Sequence, residues 1–158
     1  MIFDRTQNDV DTAIRLRNEK VKFDPITMQP INPEALTESE IATLEKGTIT
    51  YNTLNRIENK QEELKNLFNN MGYGNTPITN KVWNENYIFN ADEFRRIIDN
   101  TNVLRAAFFT FKDTPNTPPI SYHWKDINSL EKILYDLDAM TKDVKSNYKE
   151  CGSFESGE

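Results

Sequence analysis

The stretch from Thr48 to Gly74, TITYNTLNRIENKQEELKNLFNNMGYG, constrains the fold more than any other part of the chain. Leu54, Ile57, Leu64, Phe68 and Met71 recur there at steps of three, four or seven, with Leu67 widening the stripe. That spacing lines one face of an α-helix. Asn52 or Thr53 is suited to the N-cap, where a short side-chain oxygen accepts from an unpaired N–H of the first turn. Gly72 suits the stop, since glycine enters the left-handed C′ conformation without a Cβ penalty. Gln61 is the one polar residue on the stripe, so it either meets a polar partner or looks out of a bundle.

Other helices follow from the same signals. Asp4 or Thr6 can cap a first helix over about Thr6 to Lys20, with Val10, Ala13, Ile14 and Val21 facing inward. Asp9 and Asp11 fall in its early turns, where the macrodipole favours negative charge. Phe23 to Leu36 holds Pro25, Pro30 and Pro33 and reads as an irregular connector. Thr37-Glu38-Ser39-Glu40 spells a capping box, opening a short helix that ends at Gly47 and serves as a spacer.

Beyond Gly74 the pattern is irregular, apart from a short strand expected near Val82, with Trp83 as a plug at one end of a bundle. Asn90-Ala91-Asp92-Glu93 is a second capping box. Phe94, Ile97, Ile98, Leu104, Phe108 and Phe111 continue as a helical stripe, with a kink expected at Asn100, Thr101 and Asn102. Pro115, Pro118 and Pro119 make a second connector, and Ile120, Tyr122 and Trp124 alternate as in an extended segment. Asn128-Ser129-Leu130-Glu131 reads as a third capping box, so the last helix is expected to start at Asp126 or Asn128. About 22 residues would follow, spanning roughly 33 Å. The fold class expected is therefore mainly α. It is a bundle of about four helices plus a short one, joined by proline-rich irregular connectors. Residues 1–150 are expected to form a single helical domain, and 151–158 a disordered tail.

Composition narrows the functions. Of 158 residues 37 % are hydrophobic. With glycine the share is about 40 %, below the ~45–50 % usual for globular domains, which suits an elongated bundle or a chain that completes its core against neighbours. A net charge of −6 argues against nucleic acid as partner, because phosphate binding needs clustered Lys and Arg. Cys151, the one cysteine, can neither close an internal disulfide nor build a thiolate metal site alone. No apolar run matches a signal peptide or a membrane span, so a soluble product made in the cytoplasm is expected, without membrane attachment.

Chemistry is thinly represented. His123 is the only histidine, in a proline-bounded aromatic segment that suits packing better than acid–base work. Asp136 and Asp138 are two apart on a helix and point to different sides. No GxSxG elbow, phosphate-cradling loop, HExxH or calcium loop is present. No catalytic residue, metal or cofactor is expected, and the surface carboxylates read as a solvated acidic face. The aromatic residues of the two connectors, Trp83, Tyr87, Phe89, Tyr122 and Trp124, admit two readings. They seal the bundle's ends, or they meet as a binding patch for protein or sugar. Arg5, Arg56 and Arg96 lie near helix ends or beside apolar stripes. Each is expected to clamp helices by donating to carbonyls or to Asp4, Glu58 or Asp136.

A succession of short matches gives the chain a resemblance. It runs through Asp4-Arg5-Thr6 with Asp9-Val10; Asn52-Thr53-Leu54-Asn55-Arg56-Ile57-Glu58; Trp83 in a loop; and Arg96-Ile97 followed by Asn100. It continues with Thr114-Pro115, then Ile127-Asn128-Ser129-Leu130-Glu131-Lys132-Ile133-Leu134 leading to Asp136-Leu137-Asp138. In this order the chain resembles small tail-associated structural proteins, or modules of larger tail proteins, of phages and prophages of Gram-positive gut bacteria. The resemblance implies a virion location and a non-enzymatic role. It also implies contacts with other tail proteins in a homo-oligomer. The alternative is a module whose Trp83 and Trp124 connectors bind a host-surface glycan.

Overall fold

The computed structural model describes residues 1–20, 36–74, 76–84, 86, 89–120 and 123–151, the last four by their backbone. Val21, most of the connector 23–36, Tyr87, Tyr122 and the tail 152–158 lie outside the described residues. Among the described residues five helices form: α1 (Gln7–Lys20), α2 (Glu38–Gly47), α3 (Tyr51–Asn70), α4 (Ala91–Ala107) and α5 (Trp124–Cys151). The fold is mainly α, and the described residues contain no strand.

Helix α3 starts earlier than its cap-forming asparagine suggested. Thr50 is the N-cap, and Thr50 and Thr53 cap each other reciprocally, side chain to backbone N–H. Its C-terminus closes as a Schellman motif. The N–H of Tyr73 donates to the Phe68 carbonyl at 3.0 Å and that of Gly72 to Asn69 at 3.1 Å. Gly72 takes φ +83, which a side chain would resist.

The order of contacts gives the topology. Between α3 and α4, Glu58 meets Arg96, Gln61 meets Thr101, and Phe68 stacks on Phe108 at 4.9 Å. Between α3 and α5, Arg56 meets Glu131 and Lys60 meets Asp138. Both sequences advance together in each pair, so α3, α4 and α5 run the same way. Parallel neighbours need a return connection, which is what the long proline-bearing connectors provide. The core lies among these three helices: Ile57, Leu64, Phe68, Phe94, Ile97, Leu104, Ile127, Leu130, Ile133, Leu134 and Leu137 are fully buried.

Helices α1 and α2 form a separate antiparallel pair, tied by Lys20–Glu40 at one end and Lys46–Asp9 at the other. Helix α2 is thus a packing partner of α1 rather than a spacer. Gly47 allows the approach: a Cβ there would come within 2.3 Å of both the Ala13 Cβ and the Asp9 carbonyl oxygen. Of the residues expected to face inward on α1, Ala13 is buried, Val10 is half-buried and Ile14 is exposed.

Several local expectations change. No strand forms near Val82, which is 79 % exposed. The N–H groups on either side donate to side chains, Lys81 N to Glu58 at 2.6 Å and Trp83 N to Asn55 at 2.7 Å. Helix α4 is unbroken through Asn100–Asn102 because the polar side chains there have partners. Thr101 Oγ1 donates to the Ile97 carbonyl, and Asn100 Nδ2 to Thr79 O, Asn80 Oδ1 and Gln61 Oε1. The helix stops at Ala107, short of Phe111; Phe108 is extended yet buried. Asn90 caps α4, but Glu93 turns to Lys81 and Arg96 instead of completing the box. Helix α5 begins at Trp124, earlier than expected, with His123 Nδ1 accepting from the Lys125 N–H at 3.2 Å. Its 28 residues make it the longest helix.

Candidate functional site

Two buried carboxylates, Glu58 on α3 and Glu131 on α5, gather the polar chemistry of the molecule. Both sit on the buried faces of their helices and are 1 % and 0 % exposed. A buried carboxylate is costly unless paired and hydrogen-bonded.

Glu58 takes four donors. Its Oε1 accepts from Trp83 Nε1 and Arg96 Nη2, each at 2.6 Å. Its Oε2 accepts from the Lys81 backbone N–H at 2.6 Å and from Arg96 Nη1 at 2.8 Å. The arginine grips the carboxylate with two nitrogens, the stronger and more directional form of the pair. Arg96 also donates to the Thr79 carbonyl at 2.6 Å and to Glu93 at 3.0 Å. Hydrogen bonding to Glu58 raises the Arg96 pKa, against the opposing effect of burial. The Lys81 hydrogen bond, with help from Arg96 and against desolvation, holds Glu93 below the usual carboxylate range. One carboxylate thus joins α3, α4 and the returning connector. A carboxylate offers about four lone-pair directions, and here all are engaged by groups of the same chain.

Glu131 does the same for the chain's beginning. Its Oε2 accepts from Arg5 Nη1 at 2.5 Å, and its Oε1 from Arg56 Nε at 2.7 Å and the Ile2 backbone N–H at 3.3 Å. One turn earlier, Asn128 donates to the Arg5 carbonyl at 2.9 Å and accepts from Arg5 Nη1 at 3.1 Å. Arg5 Nη1 also reaches the Ile2 carbonyl. The Asn128-to-Glu131 spacing that reads as a capping box lies inside α5 and binds residues 2–5 instead. A three-residue step on a helix puts two side chains on one face in either role.

The asparagines explain much of the remaining order. Asn55 receives the Trp83 N–H and returns a bond to the Trp83 carbonyl at 2.9 Å, pairing with it as a strand would. Asn80 donates to the Glu58 carbonyl at 3.0 Å, and Asn69 accepts from the Thr76 N–H at 3.1 Å. Asn55 and Asn69 thus supply partners for the backbone of the returning chain, and Asn80 ties it to the α3 backbone.

The expected site residues fall as follows. Arg56 and Arg5 meet Glu131, and Arg96 meets Glu58. Asp136 instead takes Thr114 at 2.9 Å and Lys132, and Asp4 faces Lys46 at 3.5 Å. Trp83 is 3 % exposed, packs edge-on against Phe89 at 5.6 Å and offers no open face for stacking. Phe89 continues edge-on to Phe94 at 5.7 Å. Trp124 is half-buried, donates to Gln7 at 3.2 Å and carries the Lys125 ammonium 5.5 Å above its ring. Tyr87 and Tyr122 lie outside the described residues. Sequence reasoning missed Glu131, Asn128, Asn55 and Gly47. Only the isolated acid on the apolar stripe of α5 could have flagged the first.

Among the described residues no group of three or more His, Cys, Asp or Glu side chains is placed to hold a metal ion. None of the described helices is long and apolar enough to cross a membrane. Comparison with known protein families, curated proteins and solved structures finds no match.

Proposed function

We propose that the protein is a non-enzymatic building block of a phage tail, baseplate or fibre attachment. It acts through protein–protein contacts in a symmetric oligomer and has no nucleic-acid or membrane partner. The observation that carries this reading is how apolar and ionic groups are divided. The buried carboxylates tie segments of the same chain together, whereas large apolar side chains stand outward at several places, among them Val82, Tyr135 and one group at each end of the bundle. Ile14 and Ile41, 48 % and 42 % exposed, lie on the α1–α2 pair, which joins the bundle where α3 and α5 begin. Phe109 and Tyr73, 66 % and 38 % exposed, lie where α3 and α4 end, both against Phe108. Two different sticky surfaces at opposite ends suit a head-to-tail contact, the kind that closes into rings. The resemblance to tail-associated proteins supports the same reading.

Light scattering across a dilution series tests it. The mass is expected to hold at a fixed multiple of 18.4 kDa, three or six chains by tail symmetry. Phe109→Ser should lower that multiple while leaving the helical circular dichroism unchanged. A single-chain mass at every concentration would contradict self-assembly.

A further inference from the structure

Residues 76–84 run along α3 and α4 without turn or bend. Their inward hydrogen bonds from 79 onward fall on alternate residues. The Thr79 N–H donates to Asn100 at 3.3 Å, the Lys81 N–H to Glu58 at 2.6 Å and the Trp83 N–H to Asn55 at 2.7 Å. The Thr79 carbonyl accepts from Arg96 and Asn100, and the Trp83 carbonyl from Asn55. In an extended chain the N–H and C=O of one residue share a side, and those of the next residue take the opposite one. The backbone groups of Ile78, Asn80 and Val82 therefore face away from the helices. Among the described residues none gives them a partner, and Val82 is 79 % exposed. This is a strand edge without a sheet.

Proteins usually guard such an edge with proline, lysine, a bulge or a cover. Here Pro77 precedes the edge, and the ammonium of Lys81 is spent on Glu93. The outward positions themselves carry neither charge nor proline. We propose that this edge pairs with the same edge of a second copy of the chain, antiparallel about a twofold axis at Asn80. In that register Ile78 lies opposite the second copy's Val82 and Asn80 opposite itself, each pair exchanging both N–H···O bonds. Apolar Ile78 and Val82 then meet across the strands. Lys81 falls opposite Thr79, so no like charges are opposed. A second copy is the occupant because the twofold supplies this match along the whole edge at once. The pairing does not depend on the tail role. Combined with a threefold ring it gives six chains, not three.

The test joins amide hydrogen exchange by NMR with light scattering, both on the whole chain across a dilution series. The Ile78, Asn80 and Val82 amides have no acceptor within the chain, so slow exchange there reports pairing between copies. They should be slow in the assembled protein and become fast on dilution, while the Lys81 and Trp83 amides stay protected throughout. Val82→Pro removes one outward donor and leaves the inward bonds of Lys81 and Trp83 in place. It should halve the assembled mass. Val82→Lys puts a charge on the edge and should do the same if the proline variant fails to fold. Phe109→Ser, which tests the head-to-tail contact, should leave the three amides slow. Fast exchange at all three amides at every concentration, or a mass that neither Val82 variant changes, would overturn the proposal.

Discussion

Glu58 has a local sequence that gives no hint of its four donors. Two of them come from the connector and two from Arg96, 38 positions away. Removing the carboxylate strands a buried guanidinium and an indole N–H. Glu58→Ala should therefore lose roughly 3–5 kcal/mol in urea denaturation, the usual cost of breaking one half of a buried pair. A loss within the range of exposed pairs would show that Arg96 finds other partners.

Acid should weaken the molecule through its depressed carboxylates. Glu93 is held below its ordinary 4.5 first by Lys81. At Asp138 burial pushes the pKa up, but Lys142 and Lys60 together outweigh it and leave the group below 3.8. Each binds its proton less readily folded than unfolded. The stabilisation is therefore complete above those ordinary values and is lost as pH falls through the lower folded ones. The denaturation midpoint should stay flat down to about pH 5 and drop below about pH 4.5. Glu93→Gln should soften the upper part of that drop; an unchanged profile would remove Glu93 from the account.

At the scale of elements, helix stripes and caps were legible because both are local. Ala13, Leu54, Ile57, Phe94 and Leu134 point inward as their spacing requires, and Thr37 caps α2 with Glu40 in reply. Cap residues misled where two candidates stood close together, as with Thr50 ahead of Asn52, or where the same spacing served a distant segment, as with Asn128 and Glu131. Gly47 read as a helix stop, but it also lets α1 and α2 touch. Gly47→Ala should force them apart at a cost of about 1–3 kcal/mol. Faster amide exchange would then be confined to α1 and α2, and uniform loss of protection through α5 would contradict the separation of the pair from the bundle. Leu134→Ala, in contrast, opens the central core and should cost about 2–5 kcal/mol across the bundle.

At the scale of the whole molecule, connector length was the only clue that three helices run the same way. Proline and asparagine marked the stretch after Gly74 and the one holding Pro115, Pro118 and Pro119 as irregular, but a path back along the bundle depends on partners supplied by Asn55, Glu58, Asn100 and Asp136. Those pairings join distant positions and leave no periodic trace. The same holds for the exposed apolar residues, since periodicity marks Ile14 as inward and the packing of α2 leaves it 48 % exposed.

The tail role stands on those outward groups and on the resemblance. Its most direct test is quantitative mass spectrometry of purified particles released by cells that encode the chain. The account predicts the protein in the particles at a fixed ratio to the major tail protein, in a multiple of three. A protein confined to the particle-free lysate, or present at a ratio that varies between preparations, would contradict it.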